Sequence, residues 1–165
     1  MRPQDIVVLL KILCYNSRNW YNKDLASDLY LSTAEISNSL QRLALSGLID
    51  TDKKKVRIQS LLEFLIYGVQ YIFPQRPQNI SRGIPTAHSH PFMKEQFSSD
   101  QIYVWPDADS EEKGLSVQPL YPGVTSAVKK DETLYLMLVL VDVLRMGKTR
   151  EKEVAITKLK ELFER

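Results

Sequence analysis

Two short amphipathic helical patterns lie within residues 20–46, only a few residues apart, and this spacing restricts the fold more than any other feature of the sequence. The first pattern runs from Lys23 to Tyr30, and Asn22 occupies the position that caps a helix start. Two helices joined by so short a turn form a helix-turn-helix unit. The apolar face of the first helix comprises Leu25, Ala26 and Leu29.

The second helix is predicted over Ser32–Ser46. Ser32 and Glu35 match a capping box, in which the hydroxyl accepts from the Glu35 N–H while the carboxylate reaches back to the start of the helix. Gly47 follows the last turn as a left-handed cap. The core-facing stripe, at i, i+4 and i+7, is Ile36, Leu40 and Leu43.

The opposite face of this second helix carries small and hydrogen-bonding residues that allow close approach to another molecule. Asn and Gln amides pair bidentately with adenine, and an Arg guanidinium pairs with guanine. The free N–H groups at the helix start can bind a phosphate. We therefore expect this helix to enter the major groove of duplex DNA. The predicted contacts are Ser32, Thr33, Ala34, Ser37, Asn38, Gln41 and Arg42.

A basic hairpin is predicted directly after this helix. Leu48-Ile49 forms the first strand, Asp50–Lys54 the turn and Lys55–Ile58 the return strand, with Val56 and Ile58 facing inward. If three or four basic side chains each displace a counterion, DNA binding falls with salt at a log–log slope of roughly −3 per subunit. The expected backbone contacts are Lys53, Lys54, Lys55 and Arg57.

Several short segments of the first third of the chain carry a family resemblance: Asp24-Leu25-Ala26, Leu31-Ser32, Glu35-Ile36-Ser37, Leu40, Leu43 and Ser46-Gly47-Leu48-Ile49. Through them, residues 4–58 resemble the winged helix-turn-helix of MarR- and ArsR-type bacterial regulators. This resemblance implies a DNA-binding transcriptional repressor. Later segments, among them Arg82-Gly83-Ile84-Pro85-Thr86-Ala87-His88 and Val104-Trp105-Pro106, are similar to an uncharacterised group of bacterial helix-turn-helix proteins and imply a stand-alone regulator.

Composition agrees with a DNA partner and gives no indication of an enzyme. Residues 1–60 hold nine Lys and Arg against six Asp and Glu, whereas the whole chain has a net charge of only +2. There is no Gly-rich phosphate loop, nucleophile elbow or paired His/Glu helix motif, so we expect no catalytic residues and no cofactor. The one cysteine, Cys14, excludes an intramolecular disulfide and indicates a cytoplasmic protein with a structural thiol.

The sequence predicts a mainly α protein with small β elements, divided into residues 1–73 and 74–165. The first unit is the winged helix-turn-helix plus a helix Leu61–Phe73, which a second capping box from Ser60 and Glu63 would open. The second unit is an α+β region that begins with a loop over Pro74–Asp100. In that loop, His88 and His90 suggest a metal site and Arg82 an anion contact to a ligand or DNA, but a packed structural loop is the favoured interpretation and no metal is expected.

The remaining residues are predicted to form a β-hairpin over 101–120 with an acidic tip, and then a helical pair over 131–165. Asp131 and Thr149 would cap the two helices. The run Leu134–Val141 is apolar on every side but too short to span a bilayer, so it indicates a helix buried in the protomer or at a subunit interface. Such a pair commonly dimerises winged-helix regulators, so the resemblance implies a homodimer, whose two recognition helices would read a palindrome. A partner-protein module that binds DNA weakly, in the manner of an antitoxin, remains the alternative function.

Overall fold

Apolar residues at helical spacing dominate both ends of the chain, and both ends are helical in the computed structural model, which describes residues 1–165. The first half contains α1 (Pro3–Cys14), α2 (Asn22–Leu29), α3 (Thr33–Leu45), α4 (Ile58–Tyr67) and α5 (Val69–Ile72). The second half contains β1 (Ile80–Pro85), a single 3-10 turn (Ala87–Ser89), α6 (Pro91–Lys94), β2 (Tyr103–Pro106), β3 (Lys113–Ser116), α7 (Val124–Val128), α8 (Glu132–Met146) and α9 (Thr149–Phe163). The predicted class, mainly α with small β elements, is confirmed.

Helix α3 begins and ends where its local signals predict. The Ser32 hydroxyl accepts from the Glu35 N–H at 3.1 Å, and the Glu35 carboxylate accepts from the Ser32 N–H at 2.9 Å. Gly47 then adopts a left-handed φ of 73°. Helix α2 differs from the prediction, because Asn22 is its first residue rather than its cap. The Asp24 carboxylate instead accepts from the Tyr21 N–H at 2.8 Å.

The basic hairpin is shorter than predicted. Its strands touch through one bridge, Ile49 to Val56, closed by backbone hydrogen bonds from Asp50 N–H to Lys55 O and from Arg57 N–H to Leu48 O, both 2.9 Å long. The predicted return strand to Ile58 is wrong, since Ile58 is the first residue of α4 and is partly exposed. Helix α4 begins at Ile58, and Arg57 precedes it as the cap residue. The return strand therefore cannot extend to Ile58.

Helices α4 and α5 replace the single helix predicted over Leu61–Phe73. The capping box of Ser60 and Glu63 does not form, and the Glu63 carboxylate accepts instead from the Gln59 side chain at 3.1 Å. The helical run is interrupted at Gly68, whose φ of −118° departs from helical values. A second short helix, α5, therefore follows this interruption and ends before Phe73.

The β structure departs most from the prediction. The expected loop over residues 74–100 contains strand β1, and the expected hairpin over 101–120 does not form. Strand β1 pairs antiparallel with both other strands, with Ile84 opposite Trp105 and Ile80 opposite Leu115. Strands β2 and β3 are parallel to each other, so each of the three strands pairs with the other two. The acidic tip is not simply solvated, because Asp107 binds Lys129 at 3.0 Å.

Helix α8 is the centre of the core and contacts elements from both halves of the chain, including α1, α4, α5, α7 and α9. Its side chains from Met137 to Arg145 are all buried. One continuous hydrophobic cluster extends from α1 to α9, so the core is not divided at residue 74. The apolar surface of α8 is thus used inside the protomer and not at a subunit interface.

The caps of the last two helices follow different patterns. Asp131 caps α8 as predicted, accepting from the Leu134 N–H at 2.9 Å. Thr149 is the first residue of α9 rather than its cap, and the Glu151 carboxylate accepts from the Lys148 N–H at 2.8 Å.

A buried carboxylate connects α8 to the sheet. Asp142 accepts from the Thr86 hydroxyl and the Trp105 indole N–H at 2.7 Å each, and it pairs with Arg145 at 2.7 Å. Arg145 in turn donates to the carbonyl of Phe73 at 2.8 Å. Burial raises the pKa of Asp142, and the Arg145 charge and the hydrogen bonds offset this only in part. None of the helices is both long and apolar enough to cross a membrane.

Candidate nucleic-acid interface

One stripe of α3 faces solvent along its whole length. It consists of Ala34, Asn38, Gln41 and Leu45, which recur at intervals of four, three and four residues and are all exposed. We call these four residues the reading face. Ser37 lies at its edge and is half-buried, whereas Ser32 and Thr33 are exposed at the helix start. Six of the seven predicted α3 contacts therefore lie on this face, at its edge or at the helix start.

Arg42 is the exception, because its guanidinium is paired within the protein and does not lie on the reading face. Its Nε lies 2.9 Å from Oδ2 of Asp5, and its Nη2 lies 2.7 Å from Oδ1 of the same carboxylate. This bidentate pairing fixes the guanidinium against α1 and leaves the side chain 26% exposed. Ser39 donates to the same carboxylate at 2.6 Å.

Asp5 is placed for this pairing by the first turn of α1. It is fully buried and accepts from the Arg2 N–H at 2.8 Å, so it also caps the helix. Burial alone would raise the pKa of Asp5, but the hydrogen bonds from Arg42, Arg2 and Ser39 outweigh it and the pKa is lowered. The carboxylate is therefore charged at neutral pH and holds α3 onto α1.

The basic hairpin has two free ammonium groups. Lys53 and Lys55 have no hydrogen-bonding or ionic partner for their side chains. Lys54 differs, because its Nζ donates to the Trp20 carbonyl at 3.0 Å and lies 4.2 Å from the centroid of the Trp20 ring. Arg57 pairs with Asp50 at 2.9 Å, but both side chains are well exposed and can separate in water. Two of the four predicted backbone contacts are thus fully available.

A cleft of about 880 Å³ opens beside the hairpin, between the end of α1 and the end of α9. Cys14 lines it, and burial raises the pKa of this thiol to about 12, which leaves it unreactive as a thiolate at neutral pH. The cleft connects the hairpin to the C-terminal helix. Its basic and aromatic residues are Arg18, Trp20, Tyr21, Lys54, Lys55, Phe163 and Arg165.

The two histidines of this region, His88 and His90, bind different partners within the protein. The His88 Nε2 lies 3.0 Å from the Gln101 carbonyl, and its ring packs on Tyr103 at 4.3 Å. The His90 Nδ1 accepts from the Phe92 N–H at 3.1 Å, and its ring packs on Tyr135 at 4.6 Å. No three His, Cys, Asp or Glu side chains are grouped so that they could hold a metal ion.

Two residues that matter for this surface are absent from the sequence-based prediction: Asp5, which is buried beneath it, and Leu45, which lies on it. Asp5 gave no signal, because its partner Arg42 lies 37 positions away and only the packing of α1 on α3 brings them together. Leu45 could have been found, since its spacing from Ala34, Asn38 and Gln41 places it on the polar face of an amphipathic helix. No protein-family model, curated protein or solved structure matches this chain.

Proposed function

We propose that this protein binds duplex DNA in a sequence-specific manner and acts as a transcriptional repressor without enzymatic activity. Helix α3 would lie in the major groove and the basic hairpin on the adjacent backbone. Three helices followed by a short hairpin are the elements of a winged helix-turn-helix, and we extend the proposal to that fold. The single observation that carries it is the exposed, amide-bearing reading face of α3, followed after a short turn by a hairpin with two free lysines.

The short connection between α3 and the hairpin supports this docking geometry. The Leu48 N–H donates to the Leu43 carbonyl at 3.0 Å, so the first hairpin residue is hydrogen-bonded to the last turn of α3. A helix in the major groove would then place Lys53 and Lys55 near the flanking phosphates. With two free cations instead of four, the expected log–log salt slope is roughly −2 per subunit.

We include a homodimer in the proposal, because two α3 helices about one DNA turn apart read a palindrome. Since α8 is enclosed in the protomer, another surface must mediate the contact. The side chains of Tyr67, Tyr71 and Ile72 are close along the chain at the α4–α5 junction and all are more than half exposed. Exposed aromatic residues of this kind are enriched at protein interfaces.

The experiment is binding of purified protein to a fragmented library of the source genome at two salt concentrations. We expect a few enriched fragments, with affinity that falls as salt rises. A Lys53/Lys55→Ala double variant should weaken binding to all fragments and reduce the salt slope by roughly 2 per subunit. The matched control is Lys94/Lys160→Ala, which removes two exposed lysines from α6 and α9 and should bind as the wild type does. Equal effects of the two double variants would contradict the assigned surface.

The alternative is a protein-interaction module that resembles an antitoxin, and one observation favours it. The exposed patch of Tyr67, Tyr71 and Ile72 would serve a partner protein as well as a second copy. Absence of any enriched DNA fragment, together with a monomer in sedimentation equilibrium, would favour this alternative. A Tyr71→Lys variant that remains dimeric would show that the patch is not the dimer contact.

A further inference from the structure

The two charged side chains of α3, Arg42 and Glu35, both make bonds within the protein. Arg42, the one basic residue of α3, gives its Nε and Nη2 donors to Asp5. The O6 and N7 atoms of guanine are usually bound by two N–H donors of an Arg side chain or by a Lys ammonium group. Glu35, the one acidic residue of α3, could accept from the cytosine amino group, but its Oε2 holds the Ser32 N–H and hydroxyl at 2.9 and 3.1 Å.

What remains on the reading face suits A·T pairs. Asn38 and Gln41 each present an amide with one acceptor and one donor site, which matches the N6 and N7 atoms of adenine. Ala34 and Leu45 are apolar, and apolar side chains contact the methyl group of thymine. Leu45 is 91% exposed, the largest exposure among the bulky apolar side chains, and it has no packing role within the protein.

We propose that the DNA target is A·T-rich at the base pairs beneath α3, with Asn38 and Gln41 on adenines and Leu45 on a thymine methyl. This inference rests on the proposed function and deepens it by naming the class of target. The specificity follows from intramolecular bonds: the ion pair with Asp5 occupies the Arg42 guanidinium, and the helix cap occupies one oxygen of the Glu35 carboxylate. Each lost amide contact should reduce affinity for the best site roughly ten-fold.

The test is selection from a library of random duplexes by the purified full chain, followed by sequencing. We expect an enriched core of A·T pairs. An enriched core of G·C pairs would overturn this inference while leaving sequence-specific DNA binding intact. No enrichment of any sequence would overturn both, so the two failures are distinguishable.

Two variants make the selection sharper. Gln41→Arg places a free guanidinium on the reading face and should change one core position to G·C. Arg42→Lys keeps a cation beside Asp5 and should leave every core position unchanged. A shift of a core position in Arg42→Lys, or no shift in Gln41→Arg, would overturn the assignment of the two residues.

The role of Leu45 is tested on the selected site by replacing each thymine with deoxyuridine, which removes only the methyl group. One replacement should weaken binding of the wild type several-fold but leave binding of Leu45→Ser unchanged. Leu45 is almost fully exposed, so this substitution should not disturb folding. Equal sensitivity of the two proteins to every replacement would remove Leu45 from the proposal.

Discussion

At the scale of single residues, the ion pair between Arg42 and Asp5 should contribute to stability rather than to DNA contact. Arg42→Ala leaves the fully buried Asp5 carboxylate without its main partner, and breaking a pair in this way costs about 3 kcal/mol. Urea denaturation measures the free energy of unfolding. The matched control is Gln41→Ala at the adjacent exposed position, which should change the free energy of unfolding by no more than about 0.5 kcal/mol. Equal stabilities of the two variants would mean that Arg42 is not held by Asp5 in solution.

The same carboxylate predicts a pH dependence. Because the pKa of Asp5 is lower in the folded protein than its ordinary value, its charged form stabilises the fold. That stabilisation is fully present above the ordinary Asp pKa of about 3.9 and is lost as pH falls through the lowered folded value. The difference in unfolding free energy between wild type and Asp5→Asn should therefore be constant from pH 7 to 5 and shrink below pH 4. A difference that stays constant as pH falls below 4 would contradict this account.

At the scale of elements, two glycines should respond differently to alanine. A Cβ on Gly83 would lie 1.9 Å from the Trp105 carbonyl oxygen, so Gly83→Ala must separate β1 from β2 and should destabilise by about 3 kcal/mol. Gly47 has open space around it but a φ of +73°, so Gly47→Ala should cost about 1 kcal/mol, and Gly47→Asn less. Thermal unfolding of the three variants should rank their destabilisation as Gly83→Ala, then Gly47→Ala, then Gly47→Asn. A Gly83→Ala protein as stable as Gly47→Ala would show that β1 and β2 do not pack this closely.

At the scale of the whole molecule, the shared core predicts that both halves unfold together. The chain has two tryptophans: Trp20 precedes α2, and Trp105 lies in β2 with its indole N–H bound to Asp142. Labelling with 5-fluorotryptophan gives one ¹⁹F signal from each half in a single urea titration. We expect both native signals to disappear at the same midpoint, because α8 packs on α1 as well as on α9. Two separate midpoints would support the division at residue 74 instead.

Elements whose signals are local could be predicted from the amino-acid sequence. The capping box of Ser32 and Glu35, the left-handed Gly47, the Asp131 cap and the apolar run of α8 act within one or two helical turns, and all four appear as predicted. These features depend on backbone geometry and on hydrogen bonds between neighbours, so no distant residue is needed to infer them.

Contacts between residues far apart in the chain could not be predicted and are known only from the folded structure. Strand β1 lies in a segment rich in proline and serine, and its strand character comes from pairing with β2 and β3, which a local pattern does not encode. Helical periodicity predicts Arg42 as a DNA contact, whereas the packing of α1 on α3 brings Asp5 within hydrogen-bonding distance of its guanidinium. Helical periodicity predicts the face of the helix on which a residue lies. Which residue it contacts there depends on how the helices pack against each other.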